Sequence, residues 1–184
     1  MTATAQSLPA TDTELIARWQ SGDQRAAALL VERHATPMAR FAASLGVREE
    51  VDELVQDTFV RAFNSLDSFR NDSSLRTWLF TILKRLLLDR KRAERRRKDV
   101  LEIDERDAAT EYDALDAMVG DEMAQRVRDA VNGLTPMQRE VFSLRVNEGM
   151  AYAEIAVAVG STEGSCRVHY HNAIRLIKEH LNDD

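Results

Sequence analysis

The chain has 184 residues, enough for one domain or two small ones, and its three Pro and seven Gly against many Ala, Leu, Arg and Glu favour helix throughout. Its one cysteine, Cys166, excludes an intrachain disulfide and fits a reducing compartment. The net charge of −6 is unevenly spread, +4 over residues 1–98, −9 over 99–122 and −1 over 123–184, so the acidic total does not exclude a nucleic-acid partner.

Residues 1–11 are expected to be a disordered tail. MTATAQSLPATD has neither a basic start nor an apolar core, which argues against a signal peptide, and no apolar run approaches the ~18 residues of a membrane span. A cytoplasmic protein with no membrane insertion is expected. Thr11 or Asp12 caps a first helix with Leu15, Ile16 and Trp19 on one face. Gly22 and Asp23 break it. A second helix starts at Asp23 and is expected to end or kink at Pro37, with apolar spacing resuming at Met38, Phe41, Ala42 and Leu45. A third helix, about 48–65, sets Val51, Leu54, Val55, Thr58, Phe59 and Ala62 against an acidic side of Glu49, Glu50, Asp52, Glu53 and Asp57. The polar loop RNDSS follows at 70–74.

The fourth helix begins apolar and ends basic. Leu75, Trp78, Leu79, Ile82, Leu83 and Leu86 recur at i, i+3, i+4, i+7, i+8 and i+11, a core stripe. Lys84, Lys91, Arg95 and Lys98 fall together on the opposite face. Nine basic residues lie between 84 and 98 against Asp89 and Glu94. A helix C-terminus attracts two or three cations through its dipole, but not nine, so a polyanion such as nucleic acid is the expected partner. Residues 99–122 read as an acidic linker, with a helical turn expected near Tyr112 to Met118.

The helical pattern returns at 121 with Val127, Ala130, Val131 and Leu134, and Gly133 closes it. Thr135-Pro136 marks the next start, Thr as cap and Pro at the first helical position. Met137, Val141, Phe142 and Leu144 follow, and Glu148-Gly149 stops that helix. A short helix, Tyr152 to Val159, then Gly160 and a helix capped by Thr162 make a helix-turn-helix. Small Ala153 and Ala156 are expected to let its helices approach closely. Cys166, Tyr170, Ala173 and Ile177 form the last helix's inward stripe, so Arg167, Val168, His171, Asn172 and Arg175 face elsewhere, where groove-reading residues belong.

Taken jointly, these motifs resemble the extracytoplasmic-function sigma factors, the smallest class of bacterial sigma-70-type initiation factors. EEVDELVQDTFVRAF at 49–63 is similar to the family's Asp-Ala-Glu-Asp-Leu-Val-Gln-Asp-Thr-Phe motif. FRNDSSLRTWLFTILKRLLLDRKR at 69–92 is similar to its Phe-Arg…Ser-Ser-Phe-Arg-Thr-Trp-Leu…Ala-Leu-Asp-Arg segment. LTPMQREVFSLRVNEGMAYAEIA at 134–156 is similar to Leu-Pro-x-x-Gln-Arg-Glu-Val-Phe…Glu-Gly-x-x-Tyr-x-Glu-Ile-Ala. Val51 replaces a usual Ala, Cys166 stands where Val is common, and His169 and Asn172 stand where Arg is frequent.

The resemblance implies an all-α fold of two small helical domains, region 2 at 12–98 and region 4 at 123–184, joined by a flexible acidic linker at 99–122. It implies docking of the third helix on core RNA polymerase through Asp52, Glu53, Leu54, Gln56 and Asp57. It places single-stranded −10 promoter DNA on Asn71, Asp72, Ser73, Ser74, Arg76, Lys84, Arg85, Arg90 and Lys91, the loop accepting an extruded base. It places double-stranded −35 DNA on Thr162, Ser165, Arg167, Val168, His171, Asn172 and Arg175, where Arg suits guanine, Asn adenine and Val a thymine methyl. An anti-sigma protein is the expected regulatory partner. No cofactor, metal or enzymatic activity is expected: Cys166 and His169 at i, i+3 have no further Cys beside them, and no Gly-rich phosphate loop exists. Two other readings stay open on the residues alone, a helix-turn-helix regulator with an N-terminal dimerisation or sensor domain and a module whose basic stripe binds an acidic protein.

Overall fold

The computed structural model describes residues 10–101 and 122–182, and every regular element among them is helical: α1 Asp12–Gln20, α2 Gln24–Ser44, α3 Val51–Asn64, a 3-10 turn Leu66–Ser68, α4 Leu75–Leu101, α5 Glu122–Asn132, α6 Pro136–Val146, α7 Tyr152–Val159 and α8 Glu163–Asn182. The expected linker turn near Tyr112 to Met118 and the tail at 1–9 lie outside the described residues.

Two compact units divide at Thr36 and Pro37. In the first, Thr11 caps α1 through a reciprocal capping box, its Oγ1 accepting from the Glu14 N–H at 3.3 Å while the Glu14 carboxylate accepts from the Thr11 N–H at 2.7 Å. Asp12 is bonded to Arg33 at 2.6 Å and to buried His34 at 3.0 Å. Of the end or kink expected at Pro37, the end does not occur: α2 runs through it to Ser44. A proline costs a helix one hydrogen bond, and twenty-one residues of otherwise regular helix absorb that loss.

The second unit holds the basic helix and the helix-turn-helix together. The core stripe of α4 is largely as the periodicity predicts: Leu75, Leu79, Ile82 and Leu83 are buried, and Trp78 and Leu86 half-buried. Phe80 and Leu87 are buried as well, because α4 is covered on more than one side, by α3 and by α7. Phe80 meets Phe41 edge-on at 4.8 Å. A second cluster joins α5 to α8 through Ala130, Val131, Leu134, Ala173 and Ile177. The tight turn between α7 and α8 needs a left-handed residue and has Gly160 at φ 71°, ψ 44°. The close approach expected of Ala153 belongs instead to Ala156 and Ala158, which are buried while Ala153 is exposed.

Candidate nucleic-acid interface

The last helix presents one apolar and one polar side. Cys166, Ala173 and Ile177 are buried and Tyr170 is half-buried, so the residues between them turn outward by the 3.6-residue period. Arg167, Val168, His171 and Arg175 are exposed, Val168 at 59 %. Asn172 and Ser165 are half-buried. The Thr162 hydroxyl accepts from the Ser165 N–H at 3.2 Å, so this predicted contact residue also caps the helix. Burial of the Cys166 thiol raises its pKa, with the Lys84 charge opposing and Glu163 adding to the rise.

Arg167 does not wait unpartnered. Its guanidinium is bonded to Glu163 one turn earlier and lies 5.1 Å from the centre of the Tyr152 ring. Arg145 lies 4.9 Å from the same ring and donates to the Met150 carbonyl at 2.7 Å. Tyr152 therefore carries two guanidiniums, each attracted by the ring quadrupole. Sequence periodicity gave neither Tyr152 nor Arg145 a role, because the two meet Arg167 across three helices. Arg175 is bonded to Glu179 at 2.8 Å.

The loop before α4 keeps its polar groups toward solvent. Asn71, Asp72 and Ser74 are exposed and Ser73 half-buried. Asn71 adopts φ 56°, a left-handed conformation that Asn tolerates better than most side chains. Ser74 is the helix cap, its Oγ accepting from the Thr77 N–H at 3.2 Å. Beyond the loop, a groove of about 490 Å³ is floored by Trp78, Ile82 and Leu86 and edged by Arg61, Arg85 and Arg92. Trp78 also packs on Phe69 at 5.0 Å. The groove combines a cationic edge with an apolar, partly aromatic floor, the combination that suits a single strand's phosphates and bases.

The basic run of α4 does not form one face. Lys84, expected as an open cation, is half-buried; its Nζ donates to Glu140 at 2.5 Å and to the Val159 carbonyl at 2.9 Å. Arg76 donates to the Glu148 carbonyl at 3.0 Å. Glu148 also pairs with Arg40 at 3.2 Å. Glu154 accepts from Thr77 at 3.4 Å. These groups are engaged by α6, α7 and the turn between them. Arg90 bonds to Glu50, Glu53 and Asp57, and Lys91 reaches the Leu45 carbonyl at 3.4 Å. The hydrogen bond that Arg90 donates to Asp57 raises the guanidinium pKa further, with partial burial opposing it. Arg85 remains exposed. Glu140 carried a signal in the sequence, an acid on the same side of α6 as Val141 and Leu144, which announces a buried cationic partner.

On α3 the acidic side is exposed as expected, with Asp52, Glu53, Gln56 and Asp57 all outward. Leu54 is a correction. It is fully buried, on the inner stripe with Val55, Thr58 and Phe59, behind the exposed acids. No cluster of three or more metal-ligating side chains exists among the described residues. No helix among them is long and apolar enough to cross a membrane.

Comparison with known proteins places these elements in one family. The sigma-70 region 2 family model matches residues 30–97, and the sigma-70 region 4 model matches residues 124–177. The chain is 31 % identical over 177 residues to the ECF RNA polymerase sigma-E factor of Escherichia coli strain K12, covering 91 % of this chain and 92 % of that protein. Among solved structures it resembles CnrH in complex with the cytosolic domain of CnrY, with a TM-score of 0.67, 29 % identity and coverage of 94 % and 98 % of the two chains. It also resembles the sigma factor RpoE in complex with the anti-sigma factor NepR from Bartonella quintana, with a TM-score of 0.62, 30 % identity and coverage of 82 % and 93 %. With both sigma regions present in order and relatives matched over nearly their full length, the chain belongs to the extracytoplasmic-function sigma factors, the sigma-70-type transcription initiation factors of RNA polymerase.

Proposed function

We propose that this sigma factor works inside the cell by docking α3 on core RNA polymerase, reading −35 DNA with the outward side of α8, and holding the melted −10 strand between the 70–74 loop and the groove beside Trp78. The observation that carries this reading is the outward set Arg167, Val168 and His171 on a helix that follows a glycine turn, within a matched sigma region 4. An α-helix fits the major groove, and these side chains lie in its N-terminal half, where they reach base edges. The exposed acids of α3 steer a basic partner surface and fix its register more than they add affinity. The polar 70–74 loop has donors and acceptors for a flipped base edge, and the arginine-edged groove continues from it along α4.

The proposal includes control by an anti-sigma protein. Its support is the RpoE structure named above, solved with the anti-sigma factor NepR. The chemistry needed is binding and positioning alone.

In vitro transcription with core polymerase on a genomic promoter library tests the reading. The expected result is run-off transcription from a subset of promoters sharing one −35 and one −10 sequence. In the same assay Arg167→Ala is expected to relax base choice within the −35 element while leaving the −10 preference intact. A chain that supports no promoter-specific transcript with core polymerase, or an Arg167→Ala variant with unaltered −35 discrimination, overturns it.

A further inference from the structure

The basic run of α4 sends its side chains to different places, and Arg90 stands apart from its neighbours. Arg85 and Arg92 edge the groove beside Trp78, and Arg92 pairs with Asp89 on its own helix. Arg90 turns the other way, across to α3. Its Nη1 lies 3.0 Å from Glu50 Oε2, and its Nη2 lies 3.2 Å from Glu53 Oε1 and 2.5 Å from Asp57 Oδ2. Glu50 is the N-cap of α3, and Glu53 and Asp57 follow it at i+3 and i+7, so the three lie along one side of the helix from its start. Three carboxylates on one strip repel one another and favour splayed rotamers. A planar guanidinium bonds all three at once from two of its nitrogens, whereas a lysine's three donors leave from one nitrogen without that fixed fork.

The depths are as informative as the distances. The Arg90 side chain is 27 % exposed, while Glu50, Glu53 and Asp57 are 65 %, 64 % and 49 % exposed. The cation lies beneath and the carboxylates stand above it. Each carboxylate gives one oxygen to Arg90, which leaves its second oxygen for a partner. Side chains already held in one arrangement lose less freedom when a partner binds them.

We propose that Arg90 is a positioning residue for the polymerase-docking face of α3 and not a contact to −10 DNA. The proposal rests on the reading of α3 as that face. Arg90 sets the rotamers of Glu50, Glu53 and Asp57 and lowers the repulsion among them, so polymerase meets a preformed acidic strip. The family resemblance implies a −10 DNA role for Arg90 as one of a basic run; its direction is set by the packing of α4 on α3.

The test uses the full chain and core polymerase. Arg90→Gln keeps most of the stem and removes the charge; Arg90→Lys keeps a charge without the fork; a variant reversing Asp52 and Glu53 together serves as the reference for docking. Core affinity is measured by titration. Fork-junction promoter affinity is then measured on holoenzyme assembled at saturating chain, at several salt concentrations. Arg90→Gln is expected to weaken core binding about fivefold. Arg90→Lys should recover part of that loss, and the fork affinity and salt slope per assembled holoenzyme should match wild type. Core affinity unchanged in Arg90→Gln, with a salt slope lowered by about one phosphate contact, makes Arg90 a DNA contact and overturns the proposal. If the Asp52 and Glu53 reversal abolishes core binding while Arg90→Gln leaves it intact, only the role of Arg90 fails. If the reversal also leaves core binding intact, the docking reading itself fails. Helical circular dichroism and melting of each variant report folding. Equal core losses in Arg90→Gln and Arg90→Lys that track equal losses of melting temperature overturn the positioning role in favour of plain stability.

Discussion

Asp12 holds two side chains of α2 from the first turn of α1. Its Oδ1 accepts from Arg33 and its Oδ2 is bonded to His34. Burial pushes the Asp12 pKa up, but the hydrogen bonds and charges of His34 and Arg33 together outweigh it and hold the pKa below the ordinary 3.8. A carboxylate depressed on folding stabilises the native state fully above its unfolded pKa, and that contribution is lost as pH falls through the folded value. The stability of wild type is therefore expected to drop below about pH 3.8 partly through Asp12. Asp12→Asn should be less stable at neutral pH and show a shallower loss on acidification, measured by urea unfolding at a series of pH values. Parallel curves for the two proteins would remove Asp12 from the acid response. At this scale the sequence told residue types correctly and directions incompletely. Arg167 and Val168 were placed outward by helical period alone. Leu54 shares a family motif with its acidic neighbours, but its place on the Val51, Leu54, Val55, Thr58 stripe turns it inside.

Elements were legible where local chemistry decides them. Thr11 with Glu14 and Ser74 with Thr77 begin helices by side-chain capping, and Thr135 does so with Gln138 returning to its N–H at 3.0 Å. At Gly160 backbone conformation alone matters. It sits at φ 71°, and a Cβ there would meet nothing within 4 Å. Gly160→Ala therefore carries the left-handed cost of an L-residue and no clash, about 1 kcal/mol. Urea unfolding should show that loss, with −35 duplex binding retained wherever the variant is folded. A loss well above about 2 kcal/mol would contradict the open space at this turn. Pro37 does not end α2, because a proline's local penalty is a few kcal/mol, which a long helix can sustain.

The molecule as a whole turns on α4, which serves α3 on one flank and the helix-turn-helix on another. Lys84 and Glu140 join sequence positions fifty-six apart, with side chains 15 % and 11 % exposed. Removing one member of a buried pair strands the other charge, while replacing both with apolar groups removes the desolvation cost as well. Glu140→Ala is expected to lower stability by about 3 kcal/mol, and the double change Lys84→Met with Glu140→Leu to recover most of it. Urea titrations of the four proteins form the double-mutant cycle that isolates the coupling. Additive losses would mean that the two residues do not share a buried pair. The same bond has a consequence for DNA. Lys84 and Arg76 reach phosphates only after letting go of Glu140, Val159 and Glu148, whereas Arg85 needs no such release.

The sequence by itself determined the helices, the glycine turn, the outward side of α8, the acidic side of α3 and the family. Each follows from nearest-neighbour chemistry or from periods of three and four residues, which the chain carries without reference to distant parts. Only the tertiary structure decided which cations of α4 are open. Helical period fixes where a side chain points on its own helix, but its partner is set by whichever helix packs there. Lys84, Arg85 and Arg90 are all cations of one run, and they end respectively against α6 and α7, on an open groove and across the acids of α3, because α4 meets a different neighbour on each side.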